Sequence, residues 1–237
     1  MTQVKSGLSV STLKWIAIAA MTVDHVAWLF VSGTSVAGQI MHVIGRTTIP
    51  IMCFLIAEGY YHTRNVRRYL LRLGLFALIS HIPFMFFETR TITLTLYGMF
   101  YTSVIYSLFF ALLALVVVKS ETLPMVLRMV SICLLIVLSY RGDWMFLPIL
   151  WVLGFGLFRD RRPLALLCAA AVSVGFWFSQ MPGNYFQLGT LLALPLLWLY
   201  NGQPGNKGMK YFFYLYYPVH LVLLGLIKMV YPYVFFT

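Results

Sequence analysis

An aspartate and a histidine stand side by side at Asp24 and His25 in the middle of a long apolar block, and His220 lies well inside another block near the C-terminus. Arg46 sits in a third, and Glu58 and His81 lie closer to the ends of theirs. An ionisable side chain in membrane hydrocarbon costs roughly 2.5–3.5 kcal/mol on insertion scales, so each marks a functional-site candidate. The chemistry they permit is proton transfer with electrostatic support. Histidine serves as a general base near neutral pH, and a neighbouring carboxylate orients it and stabilises the imidazolium. Arginine holds a carboxylate or a developing oxyanion. Consecutive residues on a helix point about 100° apart, so Asp24 and His25 do not face each other. Asp24 is expected to pair across helices with Arg46 or His220, leaving His25 to face substrate. A purely structural Asp24–Arg46 pair locking two helices is the plainer alternative, since charges inside membranes generally pair.

The elements that must position these residues follow from composition. Of 237 residues, 61% are hydrophobic and only 10% charged, with a mean hydropathy of +0.87. Soluble domains are roughly half apolar and a quarter charged, and this chain has too few charges to solvate such a surface. Its apolar residues come in blocks of the length that spans a bilayer rather than in amphipathic stripes. The blocks run over 13–32, 40–60, 70–87, 99–118, 123–140, 144–158, 163–179, 185–200 and 211–230. This pattern predicts an all-α, polytopic transmembrane bundle of about nine spans, a single integral membrane domain over 1–237. The charges at Asp24 and His25 fall inside the first block, and no small-residue cleavage site follows it, so a retained span is expected rather than a signal peptide. Cys53, Cys133 and Cys168 are scattered without ligand spacing, and neither a metal site nor a disulfide framework is expected.

Basic residues orient the spans. Lys5, Lys14, Arg64, Arg67, Arg68, Arg72, Lys119, Arg128, Arg159, Arg161, Arg162, Lys207 and Lys210 fall on one set of connections, and only Arg90 and Arg141 on the alternate set. That asymmetry puts the N-terminus in the cytoplasm and the tail YPYVFFT outside. It also accounts for most of the +11 net charge, so no nucleic-acid partner is implied. Anionic membrane lipids or a phosphorylated cytosolic ligand are the partners that such a surface suits.

With this frame, Asp24, His25 and His220 share a depth on the order of 15 Å from either end of their spans, and Arg46 sits about 9 Å in from the outside. His42 and His62 fall near the interfaces, where solvation is expected. His81 suits a hydrogen bond to a neighbouring helix, and Glu58 is close enough to an interface to reach water. Tyr60 adjoins Glu58, and the aromatic run at 211–218 brings Tyr216 and Tyr217 within a turn of His220; these are pocket-lining candidates. Asn184, Gln187 and Thr190 recur at i, i+3, i+6 and form one polar helix face, lining a cavity or bonding adjacent helices. TRNVRRYLLR at 63–72 gathers Arg64, Arg67, Arg68 and Arg72. They are topogenic charge or, since arginine forks match phosphate oxygens, a cradle for a nucleotide-like cofactor.

MTVDH at 21–25, GRTTIP at 45–50, AEGYYHTRN at 57–65, SHIPF at 80–84 and YPVHL at 217–221 together resemble the TraX family, in order and spacing, over nearly the whole chain. The resemblance implies a multi-pass enzyme of the bacterial inner membrane that moves an acetyl group from cytosolic acetyl-CoA to the N-terminal amine of a pilin subunit. Relatives include fimbrial assembly proteins, so the expected partner is a pilin or another envelope acceptor. It further implies catalytic roles for Asp24 and His25 from the DH motif, Arg46 from the GR motif and His220 from the terminal motif. Coenzyme A phosphates would lie against the arginine run, and Glu58, Tyr60, His81, Asn184, Gln187, Tyr216 and Tyr217 would line the acceptor's pocket. The competing readings are an O-acyltransferase for a surface polysaccharide, a proton-coupled transporter using Asp24, His25 and Glu58 as a relay, and a non-enzymatic pilus assembly protein.

Overall fold

The computed structural model describes residues 6–89, 102–206 and 210–230. Lys5, residues 99–101 of the expected fourth span, Arg90, Lys207 and the tail 231–237 lie outside the described residues, as does the side chain of Lys210. Among the described residues the structure is helical, with only isolated bridges at Leu8–Tyr200 and Thr102–Gly142. The elements are α1 (Val10–Phe30), α2 (Val36–Gly45), α3 (Thr48–His62), α4 (Val66–Thr89), α5 (Val104–Val118), α6 (Met125–Ser139), α7 (Leu147–Leu157), α8 (Arg162–Ser179), a 3-10 helix η1 (Tyr185–Leu192), α9 (Ala193–Trp198) and α10 (Lys210–Val230).

Local chemistry sets several of the ends. Ser9 caps α1 by accepting from the Thr12 amide, and Ser35 caps α2 by accepting from the Gly38 amide. The second expected span is broken between α2 and α3, at Arg46 and Thr47. Pro50 supplies a reason. Its ring cannot pack against the carbonyl four residues back, at Arg46, and it has no N–H to donate there. Placed in the first turn of α3, the same proline costs little, because first-turn amides lack intrahelical partners. The eighth span is continuous but changes type, the 3-10 helix η1 running directly into α9. The i, i+3, i+6 spacing of Asn184, Gln187 and Thr190 suits a helix of 3.0 residues per turn better than one of 3.6.

Four segments are long and apolar enough to cross a membrane: Val10–Phe30, Val36–His62 taken across its break, Val66–Thr89 and Arg162–Ser179. Shorter apolar helices cover the remaining expected spans. Large apolar side chains face outward in rows, among them Leu71, Leu75, Leu78 and Ile82 on α4 and Met125, Met129 and Val137 on α6. Such rows are unfavourable against water and favourable against lipid. The chain is a helical membrane bundle. Its core is centred on α3, α5, α7 and α8, with Trp151, Ile51, Leu112 and Leu115 fully enclosed. A second cluster joins α4 to α10 through Phe84, Phe87, Tyr217 and Leu221. The α4–α10 pair meets the rest of the bundle mainly through α5 and, more lightly, α1. A space is left between it and α1–α3.

Arg128, which interrupted the fifth expected span, turns its guanidinium back to the carbonyls of Leu123 and of Val118 at the end of α5. It thereby satisfies orphaned helix-end acceptors. One end of the bundle is basic. There Arg159 and Lys119 both lie over the Tyr61 ring, and Leu8 bonds to Leu199 and Asn201.

Glycine makes the contact between α2 and η1. A Cβ on Gly189 of η1 would fall onto the backbone carbonyl of Val43 in α2, which cannot step aside, whereas a Cβ on Gly175 in α8 meets nothing within 4 Å. Gly189→Ala is therefore expected to lose about 1–3 kcal/mol through overpacking. Gly175→Ala is expected to gain roughly 0.5–1 kcal/mol from reduced backbone freedom in the unfolded chain. Thermal unfolding of the two variants in detergent checks the opposite signs.

Candidate active site

The space between α1–α3 and α4–α10 is a cavity of about 660 Å³. This is within the range of small-molecule sites. Its deep end is formed by Asp24, His25, Arg46 and Trp144, its middle by apolar side chains such as Met21, Ile56 and Phe76, and its other end by Lys14, His62, Arg72 and Gly202. That second end is the basic end of the bundle.

Asp24 and His25 diverge as their helical geometry requires. Asp24 turns toward α2 and is buried, with Arg46 Nη1 donating to Oδ2 at 2.8 Å and His42 Nδ1 lying 2.8 Å from Oδ1. Gly45 makes this approach possible, since a Cβ there would collide with the Asp24 side chain. Arg46 Nε donates to Gln187 Oε1 at 3.1 Å, and the guanidinium is packed between the rings of Trp144 and Phe186 at 5.3 and 4.8 Å. One carboxylate thus ties α1, α2 and η1 together. The expected Asp24–Arg46 pair is present, and His220 is not its partner.

His42 corrects an expectation. Instead of being solvated near an interface it is 1% exposed, flanked by Trp28 and Phe186. The signal was in the spacing. His42 and Arg46 are four residues apart, so one helical turn presents both to the same carboxylate.

His25 faces the other way and meets His220 of α10, Nδ1 to Nε2 at 2.7 Å, with the rings stacked at 4.9 Å. The direction of this bond follows from its surroundings. His220 Nδ1 lies 2.8 Å from the Tyr216 carbonyl oxygen, and a carbonyl can only accept, so Nδ1 carries the proton. In the neutral ring Nε2 then has the lone pair and accepts from His25 Nδ1–H. His25 Nε2 is left as an unprotonated nitrogen, on the residue of the pair that lines the cavity. His220 is buried behind it, held also by Tyr216, which stacks on it at 5.0 Å and hydrogen-bonds Thr22 at 2.6 Å through its hydroxyl.

Glu58 is the hub of the basic end. It is buried, its Oε1 accepts from Arg159 Nε at 2.8 Å, and its Oε2 accepts from the Tyr200 hydroxyl at 3.2 Å and lies 3.2 Å from His62 Nε2. It is a paired carboxylate rather than a solvated one. The hydrogen bond to Glu58 raises the proton affinity of Arg159 above its ordinary value, outweighing its partial desolvation. His62 is exposed, as expected.

The cavity therefore gathers Asp24, His25, Arg46, Glu58, Arg72 and Tyr217. Gln187 and Tyr216 stand behind its wall and hold Arg46 and His220. Asn184 lies further back, its carbonyl accepting from the Gln187 amide at 3.2 Å. Tyr60 packs edge-on against Tyr61 outside the cavity. His81 is half-buried on α4, also outside it, and its Nδ1 is enclosed without the expected hydrogen bond to another helix. Arg64, Arg67 and Arg68 lie exposed at the basic end, off the cavity wall. Trp144, Arg159 and Tyr200 were not visible as site residues in the sequence, since each gains its place only through a distant partner.

Removing one member of a buried ion pair leaves the other charge uncompensated, so Asp24→Ala is expected to cost about 3–5 kcal/mol of stability. Adding Arg46→Met to that variant should return part of the loss, a coupling that a double-mutant denaturation cycle in detergent measures.

The chain matches the family model described as TraX protein over residues 9–228. A relative, the probable fimbrial assembly protein FimC, serogroup H1, of Dichelobacter nodosus, is 32% identical over 234 residues, covering 92% of this chain and 94% of the relative. No solved structure matches the chain. The family match takes in every element from α1 into α10, and with it both halves of the His25–His220 pair and the whole Asp24 cluster; this chain belongs to the TraX family.

Proposed function

We propose that the protein is an acetyltransferase of the bacterial inner membrane, crossing it nine times with its N-terminus in the cytosol, and that it moves the acetyl group of acetyl-CoA to the N-terminal amine of a pilin-like envelope protein. The observation that carries this reading is the His25–His220 pair. It presents an unprotonated imidazole nitrogen to a mostly apolar cavity that runs to the basic end of the bundle. The family resemblance to pilin acetylation and the fimbrial assembly name of the relative support the acceptor class.

In this reading the donor enters from the cytosolic, basic end. Arg72 on the cavity wall meets the diphosphate that leads into the acyl arm, with Arg64, Arg67 and Arg68 adding positive potential at the surface outside. The thioester lies along the apolar middle of the cavity with its carbonyl beside His25. The acceptor amine attacks that carbonyl, a C–N bond forms, and His25 Nε2 takes the proton the nitrogen loses. Arg46 commits Nη1 to Asp24 and Nε to Gln187, so its remaining N–H bonds are the donors available to the oxyanion. As the C–S bond breaks, the proton on His25 passes to the sulfur, which leaves as the free thiol. His220 accepts from His25 Nδ1–H, fixes the tautomer and shares the positive charge, the part a carboxylate plays beside a catalytic histidine elsewhere. Excluding water from the cavity favours aminolysis over loss of the acetyl group to hydrolysis.

A second reading has one observation in its favour: the interrupted crossing α2–α3 meets the 3-10 segment η1 at Arg46 and Gln187, and discontinuous helices surround transporter sites. Proton-driven uptake into proteoliposomes would distinguish it.

Purified protein incubated with radiolabelled acetyl-CoA and a pilin N-terminal peptide is expected to release coenzyme A and label the peptide. Failure both to bind coenzyme A and to transfer acetyl would sink the proposal. His25→Ala should abolish transfer. His220→Ala should lower kcat by about 10²-fold or more with KM little changed, because it removes the orienting partner and not the base. Arg72→Ala should mainly raise the KM for acetyl-CoA.

A further inference from the structure

Beside the main cavity at the basic end lies a second pocket of about 240 Å³, lined by Arg159 and Arg162, by Phe54, Phe155 and Tyr200, and by Ala165 at the start of α8. Glu58, His62, Tyr200 and Gly202 line both spaces and form the partition between them. We propose that this side pocket is a binding site for a phosphorylated nucleoside, and that it takes the phosphate-bearing adenosine end of a ligand whose remaining length lies in the main cavity. The proposal rests on the acetyl-CoA reading for the identity of that ligand, and on the pocket alone for its chemistry.

Four observations converge on it. The pocket is below the roughly 300–1,000 Å³ of sites that enclose a whole drug-sized ligand, so it suits one end of something larger. Its charges sum to an excess of one cation. Arg159 is half-neutralised through Nε by Glu58, and Arg162 spends Nη1 on the Trp198 carbonyl rather than on a carboxylate. Both guanidinium groups keep further N–H bonds, and arginine forks bind phosphate oxygens two at a time.

The N-terminus of α8 points into the same place. Arg161 gives no side-chain cap and no acidic residue occupies the first turn, while Arg162 and Ala165 of that turn are on the wall. The amide ends and dipole there favour an anion. The exposed carboxylate of Asp160 lies off the wall. The remaining lining is aromatic, with Phe54 edge-on to both Phe155 and Tyr200 at 5.4 and 5.1 Å. A pocket for phosphate alone has no use for three rings; a planar base does.

The distance fits a long donor. Glu58 on the partition lies twelve residues along the α2–α3 segment from Arg46 at the deep end, about 18 Å at helical rise. Glu58 then acts against the ligand. Its carboxylate competes with phosphate for Arg159, so it weakens binding and favours release.

Isothermal titration of the full chain in detergent with adenosine 3′,5′-bisphosphate, which lacks the acyl arm, tests the site apart from acetyl transfer. The bisphosphate is expected to bind, and adenosine at least tenfold more weakly. Arg159→Gln and Arg162→Gln should each weaken the bisphosphate at least tenfold, and Arg141→Gln, on the alternate set of connections, should leave it unchanged. Glu58→Gln should tighten it severalfold, a gain that a structural role for Glu58 would not give. Where Arg159→Gln lowers the unfolding temperature, Arg162→Gln carries the test. No binding to the intact chain would overturn the proposal. So would binding indifferent to Arg159 and Arg162, or displacement of the bisphosphate by equimolar phosphatidic acid, which would mark a lipid-phosphate pocket. Bisphosphate binding without acetyl transfer to any acceptor leaves the pocket standing and removes the acetyltransferase reading; transfer that ignores both arginines does the reverse.

Discussion

The buried carboxylate of Asp24 is the constraint on which the rest depends. A carboxylate in hydrocarbon persists only if paired and hydrogen-bonded, and Asp24 draws both partners from the helix turn that ends at Arg46. That requirement explains several features that otherwise look unrelated: a glycine at 45 where the side chain presses, a break at Arg46 opposite Pro50, and a 3-10 segment supplying Gln187 to the arginine's far side. Three elements are fixed to one another by one charge, and the deep wall of the cavity is the result.

Because consecutive helical residues diverge, the Asp-His motif works as two devices rather than one. Asp24 faces inward and organises; His25 faces the cavity and is organised in turn by His220. The two histidines are ordered by a backbone carbonyl, since the Tyr216 oxygen fixes one proton and the remaining tautomers follow. The nitrogen that ends up unprotonated belongs to the ring that borders the cavity.

The basic end is built on the same economy of charge. Glu58 is neutralised by Arg159 and Tyr200, and its position between two pockets makes it the one acidic group that a ligand at that end would meet on the walls of both. Charge that orients a bundle in a membrane is here also charge that lines a cavity. Residues such as Arg72 and Arg162 belong to both sets, while Arg64, Arg67 and Arg68 stay at the surface.

Much of this was legible in the amino-acid sequence. Composition and block length determined a helical membrane bundle, and the cost of burying charge singled out Asp24, His25, Arg46 and His220, because those properties belong to each residue and its near neighbours. Helical angles alone implied that Asp24 and His25 diverge, with His25 toward substrate and Arg46 or His220 opposite the carboxylate. Only the tertiary structure decided which histidine meets which partner, placed His42 in the core rather than at an interface, and brought Trp144, Arg159 and Tyr200 to the walls. It also left His81, Tyr60 and Asn184 outside them. Those outcomes turn on contacts between residues far apart in the chain, such as 58 with 159 and 46 with 187. Helical periodicity specifies which face a residue occupies but not which helix will be opposite it.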